Sequence, residues 1–314
     1  PQEPRTAEAD AAPRPRPRHR RHARAAYLFG RFLGACSLIA FVSFHVQLEG
    51  LIGAHGVVPA AERLAAFEAR GLGLAEAPTL AWWLGADDGA LHALCALGEI
   101  ASAALLVGAL PGPAALLAAL AYLSLAQVAG PFLAYQWDTL LVEAGFAAAL
   151  FCPWTRWHDP RRPIEPPRPA RWVLYALVFR LFFLSGVVKL RSGDAAWATL
   201  EALRFHYWTQ PLPNALSFFA HQLPDAVHRA SAGAVLALEI LLPFAIVAGA
   251  RGRRLAFAGF AALMGLIALT GSYGFFNLLA FTLALPLLDD AAVTRRRRAP
   301  PDVPARAPPG RRQA

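Results

Sequence analysis

The chain has 314 residues, 56% hydrophobic and only 16% charged, and its 30 Lys+Arg against 21 Asp+Glu leave a net charge of +9. Soluble domains run at roughly 45–50% apolar and about 25% charged, so this composition excludes the ordinary soluble class, and arginine bunched beside apolar runs reads as a topology signal rather than a nucleic-acid surface. Cys36, Cys95 and Cys152 all lie inside apolar stretches, which excludes a disulfide framework, a CxxC redox pair and a zinc finger.

Residues 1–26 are rich in Pro, Arg and Ala and predict a disordered basic tail. A hydrocarbon core of about 30 Å needs roughly 20 apolar residues per helix. Runs of that kind occupy 27–46, 91–110, 114–130, 132–152, 171–190, 230–249, 254–271 and 273–288, with breaks at Gly130-Pro131 and between Gly271 and Gly274. The expectation is an all-α polytopic membrane bundle of about eight transmembrane helices over 27–290, followed by an Arg/Pro-rich tail at 291–314. The first run leads into Gln47-Leu48-Glu49-Gly50 without a small-x-small cleavage site, so it reads as a retained anchor. Eight spans put 22 arginines at the termini and in the 153–171 and 250–254 connections on one side, against six basic residues on the other. Both termini are therefore expected in the cytoplasm.

Two segments on the opposite side, 47–90 and 191–229, are long enough to act outside the bilayer. In the first, Gly50, Gly53 and Gly56 mark a tight irregular turn, Pro59 to about Arg70 predicts a short helix closed by Gly71, and Asp87 or Asp88 caps the next span. In the second, Asp194 and Asn214 are natural N-caps of two surface helices. Leu216, Phe219, Leu223 and Val227 recur at helical spacing, with Pro224 expected to bend or restart the helix, a stripe expected to pack on the bundle or lie in the membrane interface.

Glu99, Glu143, Arg180 and Glu239 fall deep inside four different spans, roughly 12–16 Å from the outer end at about 1.5 Å per residue. Asp138 lies nearer that end. Charge in hydrocarbon costs about 2.5–3.5 kcal/mol per residue, so each needs a partner, a cavity or a role. One reading is a structural network in which Arg180 bridges one or two of the glutamates and the third is protonated; the others are chemistry or ion-coupled transport. Lys189, at the outer end of its span, is the only lysine in the chain. Unlike arginine it can release its proton when desolvated, which makes it a candidate catalytic base; the alternative is a snorkelling amine. Nine residues separate it from Arg180, half a turn out of phase, so the two are not expected to share a pocket. His206, His221 and His228 have no metal-binding spacing, and no phosphate loop is present, so no metal and no cofactor is expected.

Six segments carry a resemblance: Gln47…Gly50-Leu51-Ile52-Gly53…Gly56…Pro59; Gln136-Trp137-Asp138…Leu140-Leu141…Glu143-Ala144-Gly145; Phe179-Arg180-Leu181…Ser185-Gly186-Val187-Val188-Lys189-Leu190…Gly193-Asp194…Trp197; His206-Tyr207…Thr209-Gln210-Pro211…Pro213; His221-Gln222-Leu223-Pro224; and Thr270-Gly271…Tyr273…Phe275-Phe276-Asn277-Leu278-Leu279. In this order they resemble the membrane domain of the lipase maturation factor family, multi-span proteins, in eukaryotes of the endoplasmic reticulum, that help dimeric secreted lipases reach an active fold. The resemblance implies a chaperone-like folding factor rather than an enzyme, with an exported lipase as client, membrane lipid around it and no nucleic acid. It marks Gln47, Gly53, Gly56, Gln136, Trp137, Asp194, Trp197, His206, Tyr207, Gln210, His221 and Asn277 as client-facing or motif residues. Longer members carry a C-terminal soluble region, where this sequence has the arginine-rich tail. Its Ala- and Arg-heavy, lysine-poor composition favours a bacterial inner membrane over the endoplasmic reticulum. Gly186…Lys189-Leu190…Asp194…Trp197 also resembles the segment of vitamin K-dependent carboxylases that holds their catalytic lysine. That second likeness implies a base at Lys189 acting on a quinone-like or lipid substrate.

Overall fold

The computed structural model describes residues 22–293. In chain order the helices are α1 (Ala23–His45), α2 (Leu48–Ile52), α3 (Ala60–Ala69), α4 (Ala81–Leu84), α5 (Asp88–Val107), α6 (Pro111–Ala129), α7 (Gln136–Phe151) and α8 (Arg168–Arg191). They continue as α9 (Ala195–Ala198), α10 (Ala202–Thr209), α11 (Ala215–His221), α12 (Asp225–Ile240), α13 (Gly249–Thr270), α14 (Phe276–Ala284) and α15 (Asp290–Val293). Among the described residues the only strand-like pairing is an isolated bridge between Ala109 and Trp157. The expected tails fall outside the described residues, except that α1 is already helical from Ala23 and α15 runs to Val293.

The protein is an all-α polytopic membrane bundle. Six helices are long and apolar enough to cross a bilayer: Ala23–His45, Asp88–Val107, Pro111–Leu133, Arg168–Arg191, Asp225–Val247 and Gly249–Thr270. The remaining two expected spans are shorter. At 1.5 Å per residue, the 16 residues of α7 reach about 24 Å and Phe276–Leu287 about 18 Å, both short of the roughly 30 Å core. Local chemistry sets the length of α7. Gly130, at φ 56, takes the chain out of α6 into a 3₁₀ turn over Gly130–Leu133, and a capping box between Tyr135 and Asp138 starts the new helix only at Gln136.

Successive passes run in alternate directions, which the connections at each end make plain. At one end Leu110 N–H donates to Arg156 O at 3.0 Å, His158 N–H donates to Gly108 O at 2.9 Å, and Arg254 pairs with Asp289 at 2.7 Å. At the other, Ala54 N–H donates to Asp88 at 2.8 Å, Arg63 to Gln127 O at 2.9 Å and Gln210 to Thr270 O at 2.7 Å. The described residues of all the arginine-rich connections gather at the first end.

Packing is uneven along the chain. Phe29, Leu33, Phe41, Leu91, Leu105 and Phe151 are fully buried where α1, α5, α6 and α7 meet. Of the apolar windows, 56% of that in α1 is buried against 22% of that in α13. The second half of the bundle therefore offers its sides to lipid, to a ligand or to another chain.

The connectors follow local rules. Asp87 accepts from Ala90 N–H at 3.0 Å, Asp194 from Ala196 N–H at 2.9 Å and Asn214 from Ser217 N–H at 3.0 Å, each capping the helix that follows. Pro59 precedes α3 and Gly71, at φ 69, follows it. Pro224 restarts the helix rather than bending it: it is the N-cap of α12, which begins five residues before the expected span. The apolar stripe is therefore split. Leu216 and Phe219 sit on α11, Leu223 lies between helices and Val227 is on α12, all of them exposed rather than packed on the bundle.

Candidate functional site

The deep ionisable residues do not form one network. They separate into pairs, because each lies on a helix face that meets a different neighbour. Arg180 on α8 pairs with Glu143 on α7. Lys189 donates to both carboxylate oxygens of Glu239 on α12 at 2.7 Å, and its ammonium stands 5.4 Å over the Trp197 ring. Gly186 makes this second pair reachable: a Cβ there would come within 2.6 Å of Ile240 Cγ1, so only glycine lets α8 approach α12 this closely. Asp138, at the start of α7, is buried and accepts from the Tyr122 hydroxyl at 2.7 Å and from Tyr135 N–H at 3.2 Å.

Glu99 belongs to an arrangement that sequence spacing does not disclose. His45, in the last turn of α1, bonds Glu99 through Nδ1 at 2.7 Å and His92 Nδ1 through Nε2 at 2.8 Å, and His92 Nε2 bonds Glu49 at 3.0 Å. Glu49, His92, His45 and Glu99 thus form one continuous hydrogen-bonded chain across the α1–α5 pair. One signal could have found it, since the end of one span and the start of the next meet at the same level in an antiparallel pair. Arg31 is a second unforeseen charge: inside α1, it donates to Leu105 O at 2.6 Å and lies 4.7 Å from the Tyr27 ring centroid.

Arg180 and Lys189 do share a cavity, contrary to the helical-phase expectation. Long side chains reach around their own helix, so half a turn does not separate them. The cavity, about 650 Å³, lies between α7, α8 and the start of α14, and includes Gln136, Thr139, Glu143, Arg180, Ser185 and Lys189 in its lining. A second, of about 410 Å³, continues from Glu143 and Arg180 between Phe146, Leu150, Val173 and Leu177.

The other motif residues stand at the end opposite the arginine-rich connections. Gln47 donates to Ser43 O at 2.7 Å, and Gly53 and Gly56 fold against the backbone of α2, where a Cβ would lie 2.7 and 2.8 Å from Glu49 O and Ile52 N. Trp137 stacks on Tyr135 at 4.6 Å. His206 lies 3.5 Å from the Tyr273 hydroxyl, Tyr207 packs on His228, and His221 faces Trp208 and His228. Burial, and then the nearby Lys189 charge, hold His206 below the usual histidine range. Gln210 donates to Tyr207 O and Thr270 O, while Asn277 is buried near the α14 start with its Oδ1 unpartnered. Around them Trp208, Leu212, Leu216, Phe218 and Phe219 are each 51–64% exposed. No group of three or more His, Cys, Asp or Glu among the described residues could hold a metal ion. The arrangement suits binding of an apolar or amphiphilic partner.

A family model described as "Lipase maturation factor transmembrane domain" matches residues 24–295. Lipase maturation factor 2 of Gallus gallus is 41% identical over 287 residues, covering 88% of this chain and 40% of the relative. The Homo sapiens protein of that name is 41% identical over 283 residues, 84% of this chain and 40% of the relative. Lipase maturation factor 1 of Homo sapiens is 30% identical over 277 residues, 83% and 48% respectively. The chain thus spans less than half the length of these relatives. No solved structure matches it.

Proposed function

The chain belongs to the lipase maturation factor family, and from that premise we propose that it is a membrane folding factor that assists exported lipases toward their active, assembled form. The observation that carries this reading is the apolar surface of Trp208, Leu212, Leu216, Phe218 and Phe219, exposed at the end of the bundle opposite the arginines. A partly folded client presents unburied apolar surface, and a patch of the same chemistry covers it until the client's own core closes. The 47–90 segment lies at the same end of the bundle, over α5 and α6. Positive residues are held in the cytoplasm, so this face is extracytoplasmic and both termini are cytoplasmic. A bacterial inner membrane is the setting the composition favours, with the endoplasmic reticulum as its eukaryotic counterpart. The role is one of binding, without a bond-making step: Lys189, the candidate base, is engaged by both oxygens of Glu239 and ties α8 to α12.

The test is the activity of secreted lipase per mass of lipase protein in the native host. Deleting the gene is expected to lower it several-fold at unchanged lipase mass, with the wild-type gene restoring it. Phe218→Ser with Phe219→Ser is expected to restore little while accumulating in the membrane like wild type. Unchanged specific activity on deletion refutes the role; full restoration by the double variant refutes the surface.

A further inference from the structure

The two cavities between α7 and α8 form one groove. From Lys189 to Val173 it follows 16 residues of helix, about 24 Å, past the mid-point of both helices at Glu143 and Arg180. Its halves differ in chemistry. The half toward Gln136 and Lys189 carries the polar side chains, and the half beyond Arg180 is lined by Phe146, Leu150, Val173 and Leu177. This is the polarity of an amphiphile whose headgroup lies between the Gln136 end and mid-helix and whose chain runs on past the mid-points of α7 and α8.

Charge decides which headgroup fits. Arg180 is paired with Glu143 and Lys189 with Glu239, so the polar half offers no unpaired cation to a phosphate or carboxylate. What remains free is neutral: the side chains of Gln136 and Thr139 make no hydrogen bond among the described residues, and the Ser185 hydroxyl, donating to Leu181 O, still accepts. The Arg180 side chain is 50% exposed to the groove region at mid-helix depth, where bare hydrocarbon is a poor neighbour and a hydroxylated headgroup a good one. The volumes, about 650 and 410 Å³, lie in the range of small-ligand sites.

We propose that this groove binds one neutral glyceride, with an uncharged glycerol-ester headgroup among Gln136, Thr139 and the Glu143–Arg180 pair and an acyl chain in the apolar half. The site stands apart from the client-binding reading, and its test uses no lipase.

The experiment is photolabelling of the full chain, reconstituted in phosphatidylcholine vesicles, with a monoacylglycerol carrying a diazirine in its acyl chain. Saturable labelling is expected on the peptides covering 136–151 and 173–189, competed by unlabelled monooleoylglycerol and not by oleate or phosphatidylglycerol. Leu184→Trp and Ala176→Trp put an indole into the groove from exposed positions and should cut the labelling at least about fivefold, as occupied volume excludes a chain. Labelling that does not saturate, that falls on other helices, or that is competed equally by phosphatidylglycerol overturns the proposal. The competition arm reads the wild-type protein, so it decides the matter even where a tryptophan variant fails to fold.

Discussion

His158 lies fully buried in the 153–167 connection, with its ring edge-on to Tyr27 at 5.1 Å. Burial first, and the Arg31 charge second, push its pKa down from the ordinary histidine value to about 4, against a weaker opposing pull from Asp159. The unfolded chain therefore takes up a proton that the folded one refuses between about pH 6.5 and 4, so stability present above that window is lost as the pH falls through it. At 1.36 kcal/mol per unit the loss is on the order of 3 kcal/mol. Thermal unfolding in detergent should show this acid sensitivity in the wild type and a flatter curve in His158→Gln; parallel curves would remove His158 as the cause. At this scale, what was legible in the sequence was local. Asp87, Asp194 and Asn214 could be read as caps because a cap bonds a backbone N–H two or three residues away. The partners of Lys189 and Glu99 could not, because they stand 50 and 54 positions away and only the tertiary arrangement brings them near.

Among the elements, α1 crosses α5 closely at Gly34, within the Gly30-Arg31-Phe32-Leu33-Gly34 segment. A Cβ on Gly34 would lie 2.4 Å from Leu106 N and 2.9 Å from Ser102 O, and neither backbone atom can turn aside as a side-chain end could. Gly34→Val should thus force the helices apart and cost about 1–3 kcal/mol or more, read as a lowered unfolding temperature and poor membrane accumulation. Gly265, inside α13, is the matched control: nothing lies within 4 Å of its would-be Cβ, and Gly265→Ala should be neutral or gain about 0.5–1 kcal/mol. Equal losses in the two variants would mean that helix glycines here matter for flexibility rather than for approach. The long spans were readable from apolar run length alone. The restart of the helix at Pro224 was readable from the proline itself, whereas the start of α7 was not, because a capping box decides it against the hydrophobic pattern.

For the molecule as a whole, arginine placement and connection geometry are independent observations that agree. The positive-inside count needs an even number of passes, and the hydrogen bonds Leu110–Arg156 and His158–Gly108 at one end, with Gln210–Thr270 at the other, give helices of alternating direction. Two of the passes are short, and the rival arrangement in which α7 did not cross would exchange the sides of every later connection and break the alternation seen at both ends. That rival separates cleanly by experiment. Cys36, Cys95 and Cys152 are all buried and free, so the background thiol signal is low, and Pro160 and Pro213 are exposed in connections on either side of α8. Pro213→Cys should react with a membrane-impermeant maleimide added outside intact cells, and Pro160→Cys only after the membrane is opened. The reverse pattern would place the apolar surface around Phe218 in the cytoplasm, out of reach of an exported client, and the proposed function would fall with it. The bundle's topology and its role are thus tied to the same two thiols.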